Sequence, residues 1–206
     1  MPRKTDKRIR LIEAAMVLIH QRGFNLTTLA YIAQEADVPL GNVYYYFKTK
    51  EAIGEAVIER HAAWYAERLS SLNELVDPMA RLFAFIEYTP EQIEHTARFG
   101  CAIGGLCQEL AKQGGSLADQ AAKLLNDVLE WSMQQFKVLG FGDRAQEFAI
   151  HYLSSLQGMH LLTHTFKDPK ITVRETQTIK DWLKALKSTS KVKVTERAYE
   201  NEEVLV

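Results

Sequence analysis

Apolar residues recur at spacings of three and four along most of this chain, and this period constrains the fold more than any other feature. The first such stripe consists of Ile9, Ile12, Met16 and Ile19. Because an α-helix turns once every 3.6 residues, this spacing gathers apolar side chains on one face of a helix. The alternation of apolar and polar residues that is typical of β-strands persists nowhere in the sequence. The sequence therefore predicts an all-α protein.

Residue types that cap helices separate these stripes and predict about nine helices. Gly23 stands where a glycine ends a helix, and Pro78 and Pro90 each follow a capping residue at a first helical position. The predicted capping residues are Thr28, Thr49, Asp77, Thr89, Ser116, Asp143 and Thr172. The polar and charged segment 188–206 is predicted to be a loosely held tail.

Two short helices near the N-terminus have the layout of a helix-turn-helix, in which roughly nine and seven residues are joined by three or four. Ala33 is small where the two helices cross, Val38 fills the turn, and Val43 and Phe47 share the inward face. These positions predict that the second helix packs through one side and leaves its other side exposed.

Three consecutive tyrosines, Tyr44 to Tyr46, cannot all be buried in so short a helix. Exposed tyrosines beside Lys48 and Lys50 suit contact with DNA, because the ring packs on a thymine methyl or a sugar and the hydroxyl reaches a phosphate oxygen. Gly41 would let the backbone approach the major groove closely. The first ten residues add five basic residues against one acidic residue, in a chain of net charge −1. This basic arm suits an anionic partner, and a solvated, frayed terminus is the alternative.

A resemblance to the TetR family of transcriptional regulators covers about residues 5–60. It rests on the run 41–51, GNVYYYFKTKE, and on the distance of this run from Ile32-Ala33 and Thr27-Thr28. The resemblance implies a DNA-binding domain over 1–48, and an effector-binding and dimerisation domain of bundled helices over 49–187. It further implies a homodimer that binds double-stranded DNA at a near-palindromic operator.

The family resemblance also implies roles by position. Thr28 and the start of the second helix would contact phosphate, and Tyr44 and Tyr45 would meet base methyls or the backbone. Tyr46, Lys48 and Lys50 would hold phosphates. The complete DNA-binding set implied in this way is Thr27, Thr28, Leu40, Gly41, Asn42, Tyr44, Tyr45, Tyr46, Lys48 and Lys50.

Three positions depart from the family pattern. Asp37 stands where glycine is usual, and aspartate tolerates the left-handed conformation that such a turn needs. Leu40 replaces a common lysine and cannot hydrogen-bond a guanine. Tyr46 replaces the usual histidine but keeps a polar tip.

The C-terminal part carries no sharp motif, and its ligand-binding role is implied by the resemblance alone. The residues expected to contact an effector are Phe85, Tyr88, Cys101, Trp131 and His151. The alternative for each is an ordinary place in the core. Cys101 lies in a glycine-rich stretch and is either a redox or electrophile sensor, favoured as thiolate near a helix N-terminus, or a small buried residue.

Metal binding and catalysis have little support in the sequence. His160 and His164 are spaced to share a helix face, and a metal site there would need His151 as a further ligand. No cysteine or carboxylate completes such a site, so a dimer interface is the favoured explanation. No histidine has a glutamate three residues before it, as a di-iron bundle enzyme requires. We expect no cofactor, no metal and no enzymatic activity.

The sequence thus predicts a DNA-binding regulator, most simply a repressor released by a small-molecule or redox effector. A TetR-like protein that acts only through protein partners is the main alternative, followed by a helical-bundle enzyme. No apolar run approaches the roughly 20 residues that span a bilayer, and no signal peptide is recognisable, so we expect no membrane association and a cytoplasmic location.

Overall fold

The computed structural model describes the backbone of residues 4–202 and the side chains of residues 6–186. Within those residues the chain is all-α and contains no strand, as predicted. The helices are α1 (Lys4–Arg22), α2 (Leu29–Glu35), α3 (Leu40–Tyr46), α4 (Lys50–Asn73), α5 (Pro78–Phe85), α6 (Pro90–Phe99), α7 (Ala102–Gln113), α8 (Ser116–Val138), α9 (Ala145–Phe166) and α10 (Pro169–Glu202). The predicted tail 188–206 lies outside the residues with described side chains, and the backbone of α10 continues through it to Glu202.

The N-terminal helices begin and end where local chemistry predicts. Gly23 follows α1 with a φ of +86°, and the Thr28 hydroxyl accepts the backbone N–H of Tyr31 at 3.2 Å. Asp37 takes the left-handed conformation in the turn with a φ of +49°, as expected from the departure at this position. The Arg10 guanidinium donates to the carbonyls of Ala36 and Asp37 and so stabilises the end of α2.

Both predicted capping residues that precede a proline are confirmed. The proline ring fixes φ near its helical value, so these two helix starts are determined by local sequence. Asp77 Oδ1 accepts the N–H of Met79 at 3.0 Å, and Thr89 forms a capping box with Gln92.

Three other predicted caps are wrong. Gly115, not Ser116, is the N-cap of α8, and a 3-10 turn over Gly142–Arg144 replaces the cap predicted at Asp143. Thr172 is buried inside α10, where its hydroxyl lies 2.9 Å from that of Thr163. Capping-box spacing alone misled here because a neighbouring glycine, turn or tertiary contact supplied the boundary.

The helix that the capping signals did not mark is α7. Its N-cap is Cys101, whose Sγ accepts the N–H of Gly104 at 3.3 Å. Cysteine is not among the usual N-cap residues, so no capping signal marked this start, although Cys101 was expected near a helix N-terminus. The described residues contain ten α-helices, in keeping with the prediction of about nine.

Two hydrophobic clusters form the core. The first joins α1–α4 to the inward faces of α7 and α8 through residues such as Leu11, Ile53 and Leu110. The second lies among α5, α8, α9 and α10, around Phe136, Tyr152 and Leu183. The first cluster crosses the predicted domain boundary at residue 48, so the three N-terminal helices are packed on the larger part of the chain. In the part of the chain that is described, no helix combines the length and the apolar character needed to cross a membrane.

Candidate nucleic-acid interface and ligand cavity

Helix α3 packs through one side and presents the other to solvent. Val43 is fully buried, and Phe47, just after the helix, is 3% exposed. On the outer side Tyr44 is 48% exposed and Tyr45 is 60% exposed. Leu40 and Gly41 are also exposed and Asn42 is half-buried, whereas half-buried Tyr46 packs against the first hydrophobic cluster. This arrangement leaves one aromatic face available to a partner.

Thr27 departs from its predicted role at the DNA. Its side chain is buried, and its hydroxyl donates to the Gly23 carbonyl at 2.8 Å. This hydrogen bond ties the loop between α1 and α2, so Thr27 positions the start of α2 instead of offering a phosphate contact. Thr28 is exposed at the N-cap of α2, where backbone N–H groups are free to meet an anion.

The two lysines after α3 differ in their surroundings. Lys48 is exposed. The Lys50 ammonium donates to the Asn25 carbonyl at 2.9 Å and lies 4.5 Å from the centroid of the Phe24 ring. Burial lowers the pKa of Lys50 from its ordinary value, and Glu109 partly offsets that effect. The prediction of a phosphate contact therefore fits Lys48, whereas Lys50 is committed to the α1–α2 loop.

In the described part of the basic arm, two arginines make contacts within the protein. The Arg8 guanidinium lies 5.4 Å from the centroid of the Phe47 ring, and Arg10 holds the turn after α2. The side chains of Arg3 and Lys4 lie outside the described residues.

Sequence reasoning missed exposed Tyr31 on α2, whose ring centroid is 5.0 Å from the Arg22 guanidinium. A large aromatic residue outside the apolar stripe of α2 was the available signal.

A cavity of about 560 Å³ lies between α4, α5, α6, α7, α8 and α9, and Met16 and His20 of α1 close one side of it. Its wall is mainly apolar and aromatic. The principal apolar contributors are Trp64, Tyr65, Phe85, Tyr88, Ile103, Val128, Leu153 and Leu156. A second cavity of about 800 Å³ shares His20, Gly100, Cys101, Ala102, Gln157 and His160 with the first, so the two meet at the start of α7.

The structure brings together three of the five residues expected at an effector site. Phe85, Tyr88 and Cys101 line the cavity. Trp131 does not line it: the indole lies behind Phe85, 5.3 Å between ring centroids, and its N–H donates to Asn73 Oδ1 at 3.0 Å.

His151 is also away from the cavity. It is exposed on the other side of α9, with its ring centroid 4.6 Å from that of Trp182. His160, nine residues further along the same helix, faces inward because nine residues of an α-helix are two and a half turns. In the described residues no group of three or more metal-binding side chains comes together, so these histidines form no metal site there.

Four histidines that were not expected at an effector site line the cavity instead, namely His20, His61, His95 and His160. His160 was expected at a dimer interface, and its place in the cavity wall corrects that expectation. Burial lowers the pKa of both His61 and His160 to about 4, so both rings are neutral at pH 7. The His160 Nε2 lies 3.1 Å from the Tyr88 hydroxyl, while its buried Nδ1 has no hydrogen-bond partner. The sequence around these histidines carried no sign of a cavity.

Arg68 is a further missed residue of the cavity wall. It lies on α4, two turns after His61, and donates to the Phe85 carbonyl at 3.0 Å. Its guanidinium is also 5.7 Å from the centroid of Trp64 and 5.5 Å from that of Phe85. Arginine on a long amphipathic helix normally indicates a solvated face, so the sequence alone favoured the wrong environment.

The two cysteines have different environments. Cys101 is half-buried in the wall of both cavities and caps α7. Cys107 is buried, its thiol donates to the Ala121 carbonyl at 3.1 Å, and burial raises its pKa to about 11. Cys107 is therefore a packing residue whose thiolate is disfavoured.

Helix α7 connects the cavity to the N-terminal helices. Its first turn lines the cavity, and its Glu109 carboxylate accepts the backbone N–H groups of Phe24 and Asn25, each at 2.7 Å. A Cβ added at Gly23 would lie 2.8 Å from the same carboxylate, so only glycine allows this approach. Sequence reasoning did not identify this clamp, because the partners are 85 and 84 residues apart.

Comparison with known proteins decides the family. The family model for bacterial regulatory proteins of the tetR family matches residues 11–57, which contain the helix-turn-helix. The transcriptional repressor NemR of Escherichia coli (strain K12) is 31% identical over an alignment of 157 positions that covers 71% of this chain and 79% of NemR. The chain belongs to the TetR family.

Solved structures of TetR-family regulators share the fold beyond the matched segment. A TetR regulator from Legionella pneumophila superposes with a TM-score of 0.77 at 21% identity, covering 84% of this chain and 95% of that protein. The reduced form of E. coli NemR superposes with a TM-score of 0.70 at 24% identity, covering 85% and 96%. The protein is thus a DNA-binding transcriptional regulator of the TetR type. Regulators of this family bind DNA and act as dimers.

Proposed function

We propose that this TetR-family regulator is a repressor that leaves a near-palindromic operator when a small molecule fills the cavity. The observation that carries the proposal is the path of α4. This helix begins beside Lys48, and its second half supplies His61, Tyr65 and Arg68 to the cavity wall. At about 1.5 Å per residue its 24 residues span roughly 36 Å, enough to link the two sites.

The DNA-binding part of the proposal rests on the outer face of α3. Tyr44 and Tyr45 are assigned to base methyls and the sugar-phosphate backbone, with Leu40, Gly41 and Asn42 at the leading end of the helix. Lys48 and the N-terminus of α2 at Thr28 are assigned to phosphates. The domain division at residue 48 follows from these roles, and we place the regulator in the cytoplasm with its DNA and assign it no catalytic activity.

The homodimer is supported by an exposed apolar surface on α9 and α10. Its members are Ile150, Leu161, Leu162, Phe166 and Val173, each between 44% and 65% exposed. A dimer built on this surface would carry two recognition helices, which reach successive major grooves about 34–36 Å apart. Palindromic symmetry of the operator would follow from the two-fold symmetry of the protein.

Release from DNA is proposed to follow from a tilt of α4. Both recognition helices must fit their grooves together, so a small change in their separation weakens binding by both. A coupling free energy of about 1–3 kcal/mol would lower operator affinity roughly 5- to 150-fold. A non-covalent ligand is the primary trigger, and covalent modification of Cys101 is the alternative within the same mechanism.

Binding to the DNA upstream of the protein's own gene tests the interface. Lys48→Ala should weaken binding to operator and random DNA alike and lower the salt slope by roughly one unit. Tyr45→Ala should instead reduce discrimination between the two DNAs. Equal losses on both DNAs for Tyr45→Ala would contradict its role, and failure of the wild-type protein to bind any DNA would support a protein-interaction role instead.

Cys101→Ser separates the two triggers. If modification is the trigger, iodoacetamide should weaken operator binding by the wild-type protein and not by the variant. If a non-covalent ligand is the trigger, the variant should keep its response to that ligand. A ligand that saturates the cavity by calorimetry and leaves operator affinity unchanged would overturn release by that ligand.

A further inference from the structure

Arg68 is a fixed positive charge in an otherwise apolar cavity wall. An arginine side chain stays protonated at any ordinary pH. Among the described residues no ion pair includes Arg68, and its nearby groups are the Phe85 carbonyl and the faces of Trp64 and Phe85. A carbonyl dipole and two ring faces compensate a half-buried cation less well than an anion does.

The carboxylate, the histidines and the tyrosines of the wall do not supply that anion. Glu91 is the one carboxylate of the lining, and it is exposed in the first turn of α6. His61 and His160 are neutral, and the tyrosine hydroxyls stay protonated because burial raises the pKa of both Tyr65 and Tyr88. Apart from exposed Glu91, the wall therefore has an excess positive charge, which Arg68 supplies.

A second, independent observation points to a ligand. The Nδ1 of His160 is the one buried side-chain nitrogen or oxygen without a hydrogen-bond partner in the described part of the protein. The other ring nitrogen is engaged with the Tyr88 hydroxyl at 3.1 Å. When that hydroxyl donates to Nε2, the proton of the neutral ring is on Nδ1, which then requires an acceptor. An unsatisfied buried donor is costly, and a ligand oxygen would satisfy it once a turn of the ring exposes Nδ1 to the cavity.

We infer that the cavity binds an aromatic carboxylate, with its anionic group on the Arg68 guanidinium, an oxygen on His160 Nδ1 and its ring among Trp64, Tyr65 and Phe85. The inference rests on the proposed ligand-releasable repressor and names the class of effector. A carboxylate presents two oxygens that match the planar guanidinium, and stacked or edge-on ring contacts suit the flat part of such a molecule. The cavity, about 560 Å³, lies within the range of sites for such small molecules.

Two probes of nearly the same shape, one anionic and one neutral, test the inference without DNA. Calorimetry on the full chain would compare 1-naphthylacetate with 1-naphthylacetamide. The wild-type protein should bind the acid at least tenfold more tightly than the amide, because only the acid pairs with the Arg68 charge. Equal binding of the two probes, or no binding of the acid at millimolar concentration, would overturn the inference.

Variants then assign the preference to its residues. Arg68→Met should remove the preference for the acid while leaving the affinity for the amide within about twofold, and Arg68→Lys should keep a weaker preference. Arg60→Met, at an exposed arginine of the same helix, should change neither affinity. His160→Phe should weaken both probes alike, by about fivefold, because each carries an oxygen that accepts a hydrogen bond. A preference for the acid that survives in a folded Arg68→Met protein would overturn the role of Arg68.

Operator binding is measured separately, so that the two proposals can fail independently. If the acid binds through Arg68 and leaves operator affinity unchanged, the ligand class stands and release by this class is wrong. If the acid does not bind and another molecule releases the operator, the repressor proposal stands and the ligand class is wrong.

Discussion

At the scale of single residues, two neutral histidines in the cavity wall make folding sensitive to acid. Burial lowers the pKa of His61 and of His160 to about 4, below the ordinary value of 6.5. The unfolded chain therefore binds protons at these positions before the folded chain does as the pH falls. Stability is complete above about pH 6.5 and declines between pH 6.5 and 4, because the unfolded state binds more protons in that window.

This pH dependence gives the first stability prediction. Each of the two histidines should contribute up to about 1.4 kcal/mol of lost stability per pH unit in that window. His160→Phe should make the free energy of unfolding, measured in urea between pH 7 and 5, less steep with pH. The double variant His61→Phe, His160→Phe should be shallower still. The slope is the readout, since each variant also changes packing, and an unchanged slope in the double variant would contradict the assignment.

The contacts of single residues also explain why the two lysines of the run 41–51 differ in their environments. Lys48 and Lys50 are two positions apart, yet only Lys50 reaches back to the Asn25 carbonyl. Thr27 and Thr28 differ in the same way, one buried and one exposed. In each pair one residue, Lys50 or Thr27, is held by contacts with the α1–α2 loop. The other, Lys48 or Thr28, faces solvent and is the one proposed to contact DNA.

At the scale of elements, α7 offers a second route between the cavity and the recognition helix. Its N-cap Cys101 is in the cavity wall, and Glu109, two turns further on, holds the Phe24 and Asn25 N–H groups. Gln113 Nε2 adds a hydrogen bond to Asn25 Oδ1 at 2.9 Å. A displacement of the start of α7 would therefore move the loop that leads into α2, in parallel with the tilt of α4.

Glu109→Gln tests this connection. The amide keeps one acceptor oxygen and loses a charge-assisted hydrogen bond, so the free energy of unfolding should fall by about 1–2 kcal/mol. The ligand-induced change in operator affinity should shrink at the same time, because one of the two routes is loosened. Glu67→Gln, at an exposed position of α4, is the matched control and should leave both quantities unchanged. A variant that loses stability but retains the full ligand response would restrict transmission to α4.

At the scale of the whole molecule, the apolar surface of α9 and α10 is exposed to solvent in a single chain, and none of the described residues fully covers its side chains. Phe166 is 65% exposed and Leu162 is 44% exposed. Several such side chains on adjacent helices form a surface that is unfavourable in water and typical of an interface. The recognition helix is short, so high operator affinity requires two copies.

Leu162→Glu should convert the dimer to a monomer, because a carboxylate in an apolar interface is left without a partner. Light scattering should show the loss of the dimer, and operator affinity should fall by at least tenfold while the helical circular dichroism remains. Val76→Glu is the control, at a residue that is 94% exposed between α4 and α5, and should change none of these. A Leu162→Glu protein that stays dimeric would place the interface on another surface.

The sequence by itself determined the class of the fold and the location of the helix-turn-helix. Helical periodicity, glycine at positive φ and a cap followed by proline are local features, and local backbone energetics act wherever they occur. The same holds for the outer face of α3: Val43 and Phe47 had to be inward, so the tyrosines between them had to include exposed ones. These predictions needed no knowledge of neighbouring helices.

The tertiary structure decided which inward-facing residues meet a cavity. His160 lines it and His151 does not, although both are on α9; Phe85 lines it and Trp131 packs behind. Helical periodicity predicts that a side chain points inward. Which neighbour it contacts depends on how several helices cross, because those contacts join residues that are tens of positions apart in sequence. Arg68 and the Glu109 clamp follow the same rule: their partners are distant in sequence, and only the packing of α4 and α7 brings them into contact.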